Sequence, residues 1–333
     1  MKVKILAEKE LRQAVGINLE AIAAIEAGFS ALAEDRAAMP PIMHIEVPEH
    51  QGDVDIKAAY VQGLDHMAVK VGAGFFNNHK IGLPNSPAMM VAVSTRTGFV
   101  EGVLLDNAYL TDVRTGAAGA VAARYLAPQA IQTAGVVGTG AQGRYQIQGL
   151  MCVRKFDRLL AFDLDKERLA KYVREMEKAL RLPVIAADSV EQLVKQSQTV
   201  VTCTPSRKPY LEAAWIHPGL HLTCMGADLP EKRELMPEVL GRINLLSCDR
   251  KSQCFKMGEL HHGLEAGVIS EATDIAELGD MTSGKRSGRR DDTQITLCDL
   301  TGTGVQDTAI ANLALKKSQE LGLGTEIDIK QLT

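Results

Sequence analysis

Residues 133–150 read TAGVVGTGAQGRYQIQGL: an apolar run, a glycine-rich turn and a helix-like stretch in direct succession. Gly138, Gly140 and Gly143 make a G-x-G-x-x-G pattern. The first glycine permits a tight turn, the second lets backbone approach a pyrophosphate, and the third lets helix and strand pack closely, with the helix N-terminus facing the phosphates. Thr139, Ala141 and Gln142 complete the candidate cradle. Glycine turns often have only structural reasons, so the pattern alone is weak; its position after a predicted strand and before a predicted helix strengthens it. The acid expected about 20 residues on is Asp163, which closes the run RLLAFD. Its carboxylate can accept both ribose hydroxyls of NAD and would repel a 2′-phosphate, so the expected cofactor is NAD rather than NADP.

Outward from this point, short β-rich runs alternate with helix-like stretches. RLLAFD (158–163), TVVTCT (199–204), HLTCMG (221–226) and INLLSCD (243–249) read as strands, and DKERLAKYVREMEKAL (165–180) reads as a helix. Strands alternating with helices predict a parallel sheet. Asp165 is placed to cap that helix, whose apolar positions Leu169, Tyr172, Val173, Met176 and Leu180 recur at helical spacing. Residues 1–114 read as an α+β lobe instead: a helix at 19–34, proline-rich turns, then alternating strands at 54–61 and 66–72. An alanine-rich helix at 115–127 leads into the dinucleotide domain. The glycine turn and helix of 301–322 could return the chain to the first lobe.

The chain has 333 residues, enough for two domains and a cleft. Its 46% hydrophobic and 23% charged residues are the balance of a globular protein. The opening MKVKILAEKELRQ mixes charges into what would be a signal peptide's apolar core, and no apolar run long enough to span a bilayer follows, so a cytoplasmic protein is expected. Six scattered cysteines without a CxxC pair indicate neither a disulfide framework nor zinc. A net charge of −4 gives no pull toward nucleic acid or anionic membrane, which leaves a small molecule as the expected partner.

Seven ordered segments resemble the ornithine cyclodeaminase/μ-crystallin family, and within it the branch associated with ectoine utilisation. They are MPP (39–41), AVKVGAGFFNNHKIGLP (68–84), LTDVRTGAAGAVAARYLA (110–127), the GTGAQG loop, VTCTPS (201–206), MGADLPEKREL (225–235) and DLTGTGVQD (299–307). The resemblance implies an α/β fold in which a Rossmann domain, residues 115–304, is inserted in an α+β substrate-binding and dimerisation domain, residues 1–114 plus 305–333. It implies a homodimer. It also places Thr204, Pro205, Ser206, Met225 and Gly226 at the cofactor, makes Lys70 and Arg114 the cations that hold a substrate carboxylate, and makes Asp228 the acid/base group at the reacting nitrogen. The chemistry is consistent: a clamped carboxylate presents Cα to the nicotinamide, Arg114 can grip it bidentately, and Lys70 acts as a point charge. Taken alone, each of these residues would read as a solvated charge or a turn residue.

The sequence departs from the family where another arginine commonly follows the MPP turn. It reads IMHIE there, leaving His44 near the expected cation, with Lys57 or Arg114 available to compensate. Asp55 matches loosely the acid that meets the distal amine in ornithine cyclodeaminases; its other reading is an exposed strand carboxylate. His261–His262 have no spaced Cys, Asp or Glu partner in this reading and are taken as an exposed helix end, so no metal site is expected. The basic run at 284–292 reads as a solvated loop.

The resemblance implies first a cyclodeaminase: hydride leaves Cα of an L-diamino acid to NAD, the distal amine attacks the imine carbon, ammonia departs, and hydride returns. A ketimine reductase or amino-acid dehydrogenase would stop halfway. A μ-crystallin-like protein would bind dinucleotide and ligand without turnover.

Overall fold

The computed structural model describes residues 2–75 and 77–329; Phe76, within the 68–84 segment, and 330–333, at the end of the expected second piece of the substrate domain, lie outside the described residues. In chain order the elements are β1 (Lys2–Ala7), α1 (Glu8–Ala14), α2 (Leu19–Ala33), β2 (Ala37–Ala38), β3 (Met43–Val47), β4 (Gly52–Val61), β5 (His66–Phe75), β6 (Ala88–Ser94), β7 (Val100–Leu105) and α3 (Tyr109–Leu126). There follow β8 (Thr133–Val137), α4 (Ala141–Val153), β9 (Arg158–Phe162), α5 (Lys166–Leu180), β10 (Val184–Ala186), α6 (Val190–Gln196), β11 (Thr199–Thr202), β12 (His221–Cys224) and β13 (Leu245–Cys248). The last are α7 (Lys251–Cys254), α8 (Glu259–Glu265), β14 (Ile275–Glu277), α9 (Leu278–Thr282), β15 (Thr296–Asp299), α10 (Gly304–Glu320) and β16 (Thr325–Asp328). Two compact units divide them: residues 1–114 with 303–333, and residues 115–302. No single helix among the described residues is long and apolar enough to cross a membrane.

The first unit is a mixed sheet in the order β16-β1-β7-β6-β5-β4-β2, with β3 also on β4. From β3 to β7 consecutive strands pair antiparallel, through short turns except for the longer 76–87 connection between β5 and β6, while β1 runs parallel to β7. Helix α2 starts at Asn18, whose side chain accepts from the Ala21 amide, and buries Ile22, Ile25, Phe29 and Leu32 at helical spacing. Helix α10 lies along β4 and β5. Thr308 Oγ1 donates to the Ala59 carbonyl at 2.8 Å and accepts from the Ala68 amide at 3.1 Å. Backbones approach closely here: an added Cβ at Gly304 would lie 2.4 Å from the Ala58 carbonyl oxygen.

The second unit is an eight-stranded, all-parallel sheet, β10-β9-β8-β11-β12-β15-β13-β14. β8, β11, β12, β13 and β15 are buried along their full length. This explains their near-continuous apolar text, since helices cover both faces of a parallel sheet. Asp165 caps α5 by accepting from the amides of Glu167 and Arg168, and Leu169, Tyr172 and Met176 face the core. The chain order reverses between β8 and β11, which is where doubly wound sheets open a crevice at the carboxyl ends of their strands. The fold is therefore α/β, a doubly wound parallel-sheet unit inserted in an α+β unit.

Two local readings needed correction. The alanine-rich helix expected at 115–127 begins six residues earlier, at Tyr109, because Asp106 Oδ2 accepts from the Leu110 amide at 2.8 Å and caps the extra turns. The 284–292 segment is not simply solvated: Arg289 turns inward and donates to the carbonyls of Leu126 at 2.6 Å and Leu220 at 3.2 Å.

Gly304→Ala forces its Cβ against backbone, which cannot swing aside. It should cost about 1–3 kcal/mol and lower the melting temperature by roughly 2–10 °C. Gly16→Ala meets nothing within 4 Å and serves as the control, expected within about 0.5 kcal/mol of the parent. Equal melting of the two variants by calorimetry would show that α10 does not press on β4 in this way.

Candidate functional site

In the second unit the glycine loop leaves β8 at the strand-order reversal. Gly138 has φ +100°, and a Cβ there would lie 2.9 Å from the Cys203 carbonyl oxygen. A Cβ at Gly143 would lie 2.3 Å from the Gly138 carbonyl oxygen, so only glycine lets α4 close on the strand end. At Gly140 a Cβ would meet nothing within 4 Å, and Gly140 is the N-cap of α4 with no side-chain cap. The first amides of α4 thus face an open, uncapped approach, the arrangement that suits a pyrophosphate. Ala141 is exposed there, and Gln142 Oε1 takes a 3.3 Å contact from Gln146 Nε2. Thr139 is fully buried and donates both its amide and its hydroxyl to Asp163 Oδ2, at 2.9 and 2.7 Å. The Asp165 amide donates to Oδ1 at 3.0 Å. Partial burial pushes the Asp163 carboxyl upward, but these hydrogen bonds outweigh it and hold the pKa below the ordinary value. Oδ1 keeps a lone pair for a ribose hydroxyl. Arg144 and Tyr172 buttress the loop: Arg144 Nη1 donates to the carbonyls of Thr139 and Gly140 at 2.6 and 2.9 Å, and Tyr172 OH donates to that of Gly143 at 2.8 Å.

The loops after β11 and β12 are tied to one carboxylate. Glu234 is wholly buried and accepts from Thr204 N and Oγ1 and from Tyr210 OH, each at 2.7 Å, and from Gly226 N at 3.0 Å. Burial raises its pKa, and the hydrogen bonds from Thr204, Thr202 and Tyr210 oppose the rise. A Cβ at Gly226 would strike the Thr204 carbonyl oxygen at 2.3 Å, so the two loops interlock. The Met225 amide donates to Thr202, Ser206 Oγ donates to the Lys208 carbonyl, and Pro205 is exposed between them. Asp228 lies four residues past the end of β12, half exposed, with Lys232 Nζ 2.6 Å from Oδ1. Glu234 and Arg144 were not singled out in the sequence, and Tyr172 was read only as a core position of its helix; Glu234 stood inside the 225–235 segment, and nothing local distinguished it from a surface acid.

In the first unit Lys57 and Lys70 sit directly opposite on β4 and β5, both buried. Like charges facing across strands destabilise a sheet unless something offsets them. The first turn of α10 supplies that: Asp307 Oδ1 is 3.5 Å from Lys70 Nζ and 3.1 Å from Arg114 Nε, and Gln306 Oε1 accepts from Arg114 Nη1 at 2.8 Å. Asp307 also gains from its place in a helix first turn. Burial, reinforced by Arg114 and Lys57 and opposed by Asp307, lowers the Lys70 pKa to about 7. Asp106 is fully buried, and that burial raises its pKa to about 6; it lies between two residues with left-handed backbone and β7, Asn107 at φ 49° and Ala108 at φ 69°. Several polar atoms here are buried without a hydrogen-bond partner: Thr303 Oγ1, Gln306 Nε2, Asp307 Oδ2 and Asp106 Oδ1. Buried cations beside orphaned polar atoms fit a small anionic, hydrogen-bonding ligand. Thr303, Gln306, Asp307 and Asp106 were missed in the sequence, although three of them lie in or beside the quoted 299–307 segment.

His44 and Asp55 are opposed in register on β3 and β4, with His44 Nδ1 2.7 Å from Asp55 Oδ1. That bond raises the His44 pKa. Asp55 is therefore partnered by protein rather than an isolated strand carboxylate. The view of His261–His262 as an exposed helix end also fails: His262 is buried, and Glu265, three and four residues on, faces both rings.

A family model, that of the ornithine cyclodeaminase/mu-crystallin family, matches residues 1–320. A relative from Sinorhizobium fredii described as an uncharacterized cyclodeaminase is 43% identical over 97% of this chain and 98% of its own. Among solved structures, an archaeal alanine dehydrogenase dimer with bound NAD is 30% identical, with TM-score 0.92, covering 99% of this chain and 100% of that one. The Thermococcus litoralis Δ1-pyrroline-2-carboxylate reductase, solved with NADH and L-proline, is 28% identical at the same TM-score, covering 98% and 100%.

The buried cations give a direct test of the electrostatics. In ¹³C-lysine NMR, Lys70 should titrate near 7, far below the ordinary 10.5. Because the folded state then binds fewer protons than the unfolded one between those values, this group's contribution to stability is present at high pH and is lost as pH falls through about 7. Asp307→Asn removes the group that raises the Lys70 pKa, so the midpoint should fall further. A midpoint near 10, or one that rises in Asp307→Asn, would refute the arrangement.

Proposed function

This chain belongs to the ornithine cyclodeaminase/mu-crystallin family, and on that premise we propose that it is an NAD-dependent enzyme working at the C–N bond of a small L-amino acid or its imine. The observation that carries the reading is the buried pair Lys70 and Arg114 on Asp307, with Lys57 opposite Lys70 in the sheet. Buried cations hold a carboxylate far more strongly than they would in water, and a purely hydrophobic ligand would leave the orphaned polar atoms of Thr303, Gln306 and Asp307 unmatched. That argues against a binding protein for an apolar molecule. Lys70 and Arg114 clamp the substrate carboxylate, and Gln306 and Asp307 fix the guanidinium that grips it. Lys57 adds charge. The glycine loop and uncapped α4 fit NAD, held by Gly138–Gly143 backbone and by Asp163, with Glu234 keeping the 204–206 and 225–226 loops in place. NAD, when bound, gives or takes the hydride. Asp228 moves the proton of the reacting nitrogen, and Lys232 orients it.

Between the family's reactions, the structure favours imine reduction or amino-acid dehydrogenation. The acid that would meet a distal amine, Asp55, already bonds His44. Cyclodeamination is the second reading, supported by the description of the Sinorhizobium relative. The assembly we propose is a homodimer, as in the archaeal dehydrogenase; exposed Met43 and Ile45 on β3 supply apolar surface for it.

A panel of L-amino acids, diamino acids including ectoine-derived ones, and cyclic imines separates the readings. A reductase or dehydrogenase changes NADH absorbance stoichiometrically, whereas a cyclodeaminase releases ammonia with NAD unchanged. Asp228→Asn keeps size and hydrogen-bonding shape but cannot take a proton, so kcat should fall about 10²–10⁴-fold with NAD binding retained. Near-normal kcat would remove Asp228 from the chemistry.

Cofactor choice rests on Asp163. Losing a charge-assisted hydrogen bond worth about 1.5–3 kcal/mol should weaken NAD binding about 10- to 100-fold in Asp163→Ser and narrow the preference over NADP. Tight NADP binding by the parent, unchanged in the variant, would contradict the assignment.

A further inference from the structure

Helix α8 carries a side-chain cluster that the catalytic reading does not use. His261 Nδ1 lies 3.2 Å from the Phe255 carbonyl oxygen, and His262 Nε2 lies 2.9 Å from the Lys232 carbonyl oxygen. A carbonyl can only accept, so each of these nitrogens carries its hydrogen, and in the neutral ring the other nitrogen keeps its lone pair. The two lone pairs, on His261 Nε2 and His262 Nδ1, face one carboxylate: Glu265 Oε1 is 3.4 Å from the first and Oε2 is 3.5 Å from the second. With one ligand atom taken from each residue, the three lie within 4.8 Å of one another.

We propose that His261, His262 and Glu265 form a divalent-cation site that takes zinc. Three features converge. Ligating histidines almost always donate their other ring N–H to a backbone carbonyl or carboxylate, which fixes the tautomer and aims the lone pair, and both rings here are held in that way. Zinc–nitrogen and zinc–oxygen bonds of about 2.0–2.1 Å in a tetrahedron set ligand atoms about 3.3–3.4 Å apart. Each histidine nitrogen stands 3.4 or 3.5 Å from one of the two Glu265 oxygens, close to that edge, and a small turn of the carboxylate would present one oxygen to both. Two imidazoles and a carboxylate are also the ligand chemistry zinc accepts, and they leave a fourth position for water on the exposed Glu265 side. The spacing is i, i+1, i+4 on one short helix, which the usual i, i+4 histidine pattern does not cover. The site rests on no part of the proposed reaction.

The test uses the full-length, tag-free protein, stripped with a chelator and titrated with zinc alone by calorimetry and by competition with a chromophoric chelator. We expect one zinc per chain and a rise in melting temperature with zinc concentration. Removing a holding group behind a ligand typically costs 10–100-fold in affinity, so His261→Gln and Glu265→Gln, which remove a ligand itself, should each weaken binding by at least about tenfold. Glu265 is mostly exposed, so Glu265→Gln should keep the parent's circular dichroism and zinc-free melting and is the primary test; His261→Gln and His262→Gln also lose the Phe255 and Lys232 contacts, so their zinc affinities are read beside their zinc-free melting. Cobalt in place of zinc should give the visible absorption of a tetrahedral site in the parent and lose it in both variants. Absence of stoichiometric binding at micromolar zinc would overturn the proposal and leave the cluster as two histidine–glutamate ion pairs. Binding of equal strength in the parent and both variants would overturn it too, because the metal would then sit elsewhere.

Discussion

Lys57 and Lys70 face each other across two strands in a buried layer, and a sheet tolerates this only with negative charge brought to it. Asp307 brings such charge to Lys70 from the first turn of a helix near the other end of the sequence, and Arg114 joins the same carboxylate from the helix that ends the first stretch of the unit. Much of the first unit follows from that requirement. Helix α10 must lie close on β4, which is why Gly304 admits no side chain and why Thr308 bonds backbone on both strands. The chain must return after residue 302 to complete a sheet it began before residue 114. Burial lowers the Lys70 pKa even with Asp307 beside it, and polar atoms of Thr303, Gln306 and Asp307 stay without a hydrogen-bond partner, so the cluster keeps polar capacity that a ligand could use.

The second unit solves a different problem, the ordering of three loops at the carboxyl ends of parallel strands. The glycine loop is held from below by Tyr172 and from the side by Arg144, whose guanidinium satisfies the Thr139 and Gly140 carbonyls. Asp163 is held by Thr139, so the acid that would read a ribose is positioned by the loop that would bind the phosphates. The 204 and 226 loops share Glu234, whose carboxylate takes four hydrogen bonds while fully buried. An ionised carboxylate without those donors would be driven to neutrality by its surroundings; with them it acts as a rigid staple. Glu259 extends the arrangement by accepting from the amides of Glu234 and Leu235.

Much of this was legible in the chain. The fold class followed from strands that had to be apolar throughout because helices cover both faces, and from a glycine pattern whose three positions each have a steric reason that the coordinates repeat at Gly138 and Gly143. Asp165 could be read as a cap and the 169–180 stripe as a buried face because both depend only on neighbours within a few residues. Asp163 could be named from its spacing past the glycine pattern, whereas Lys70 and Arg114 could be named only because the segments around them resemble a family.

Tertiary structure alone decided what those residues meet. Asp307, Gln306 and Thr303 looked like the start of an ordinary helix until α10 was laid on β4 and β5, and Glu234 looked like one more acid in a charged segment until two loops closed over it. His261 and His262 read as surface residues because their donors' partners, Phe255 and Lys232, are brought to them by folding rather than by helical spacing. The reason is common to all of them. Local pattern reports the periodicity of burial and the chemistry of turns, which are short-range, whereas the worth of a buried charge depends on which opposite charge or hydrogen-bond donor is brought to within a few ångströms of it from elsewhere in the chain.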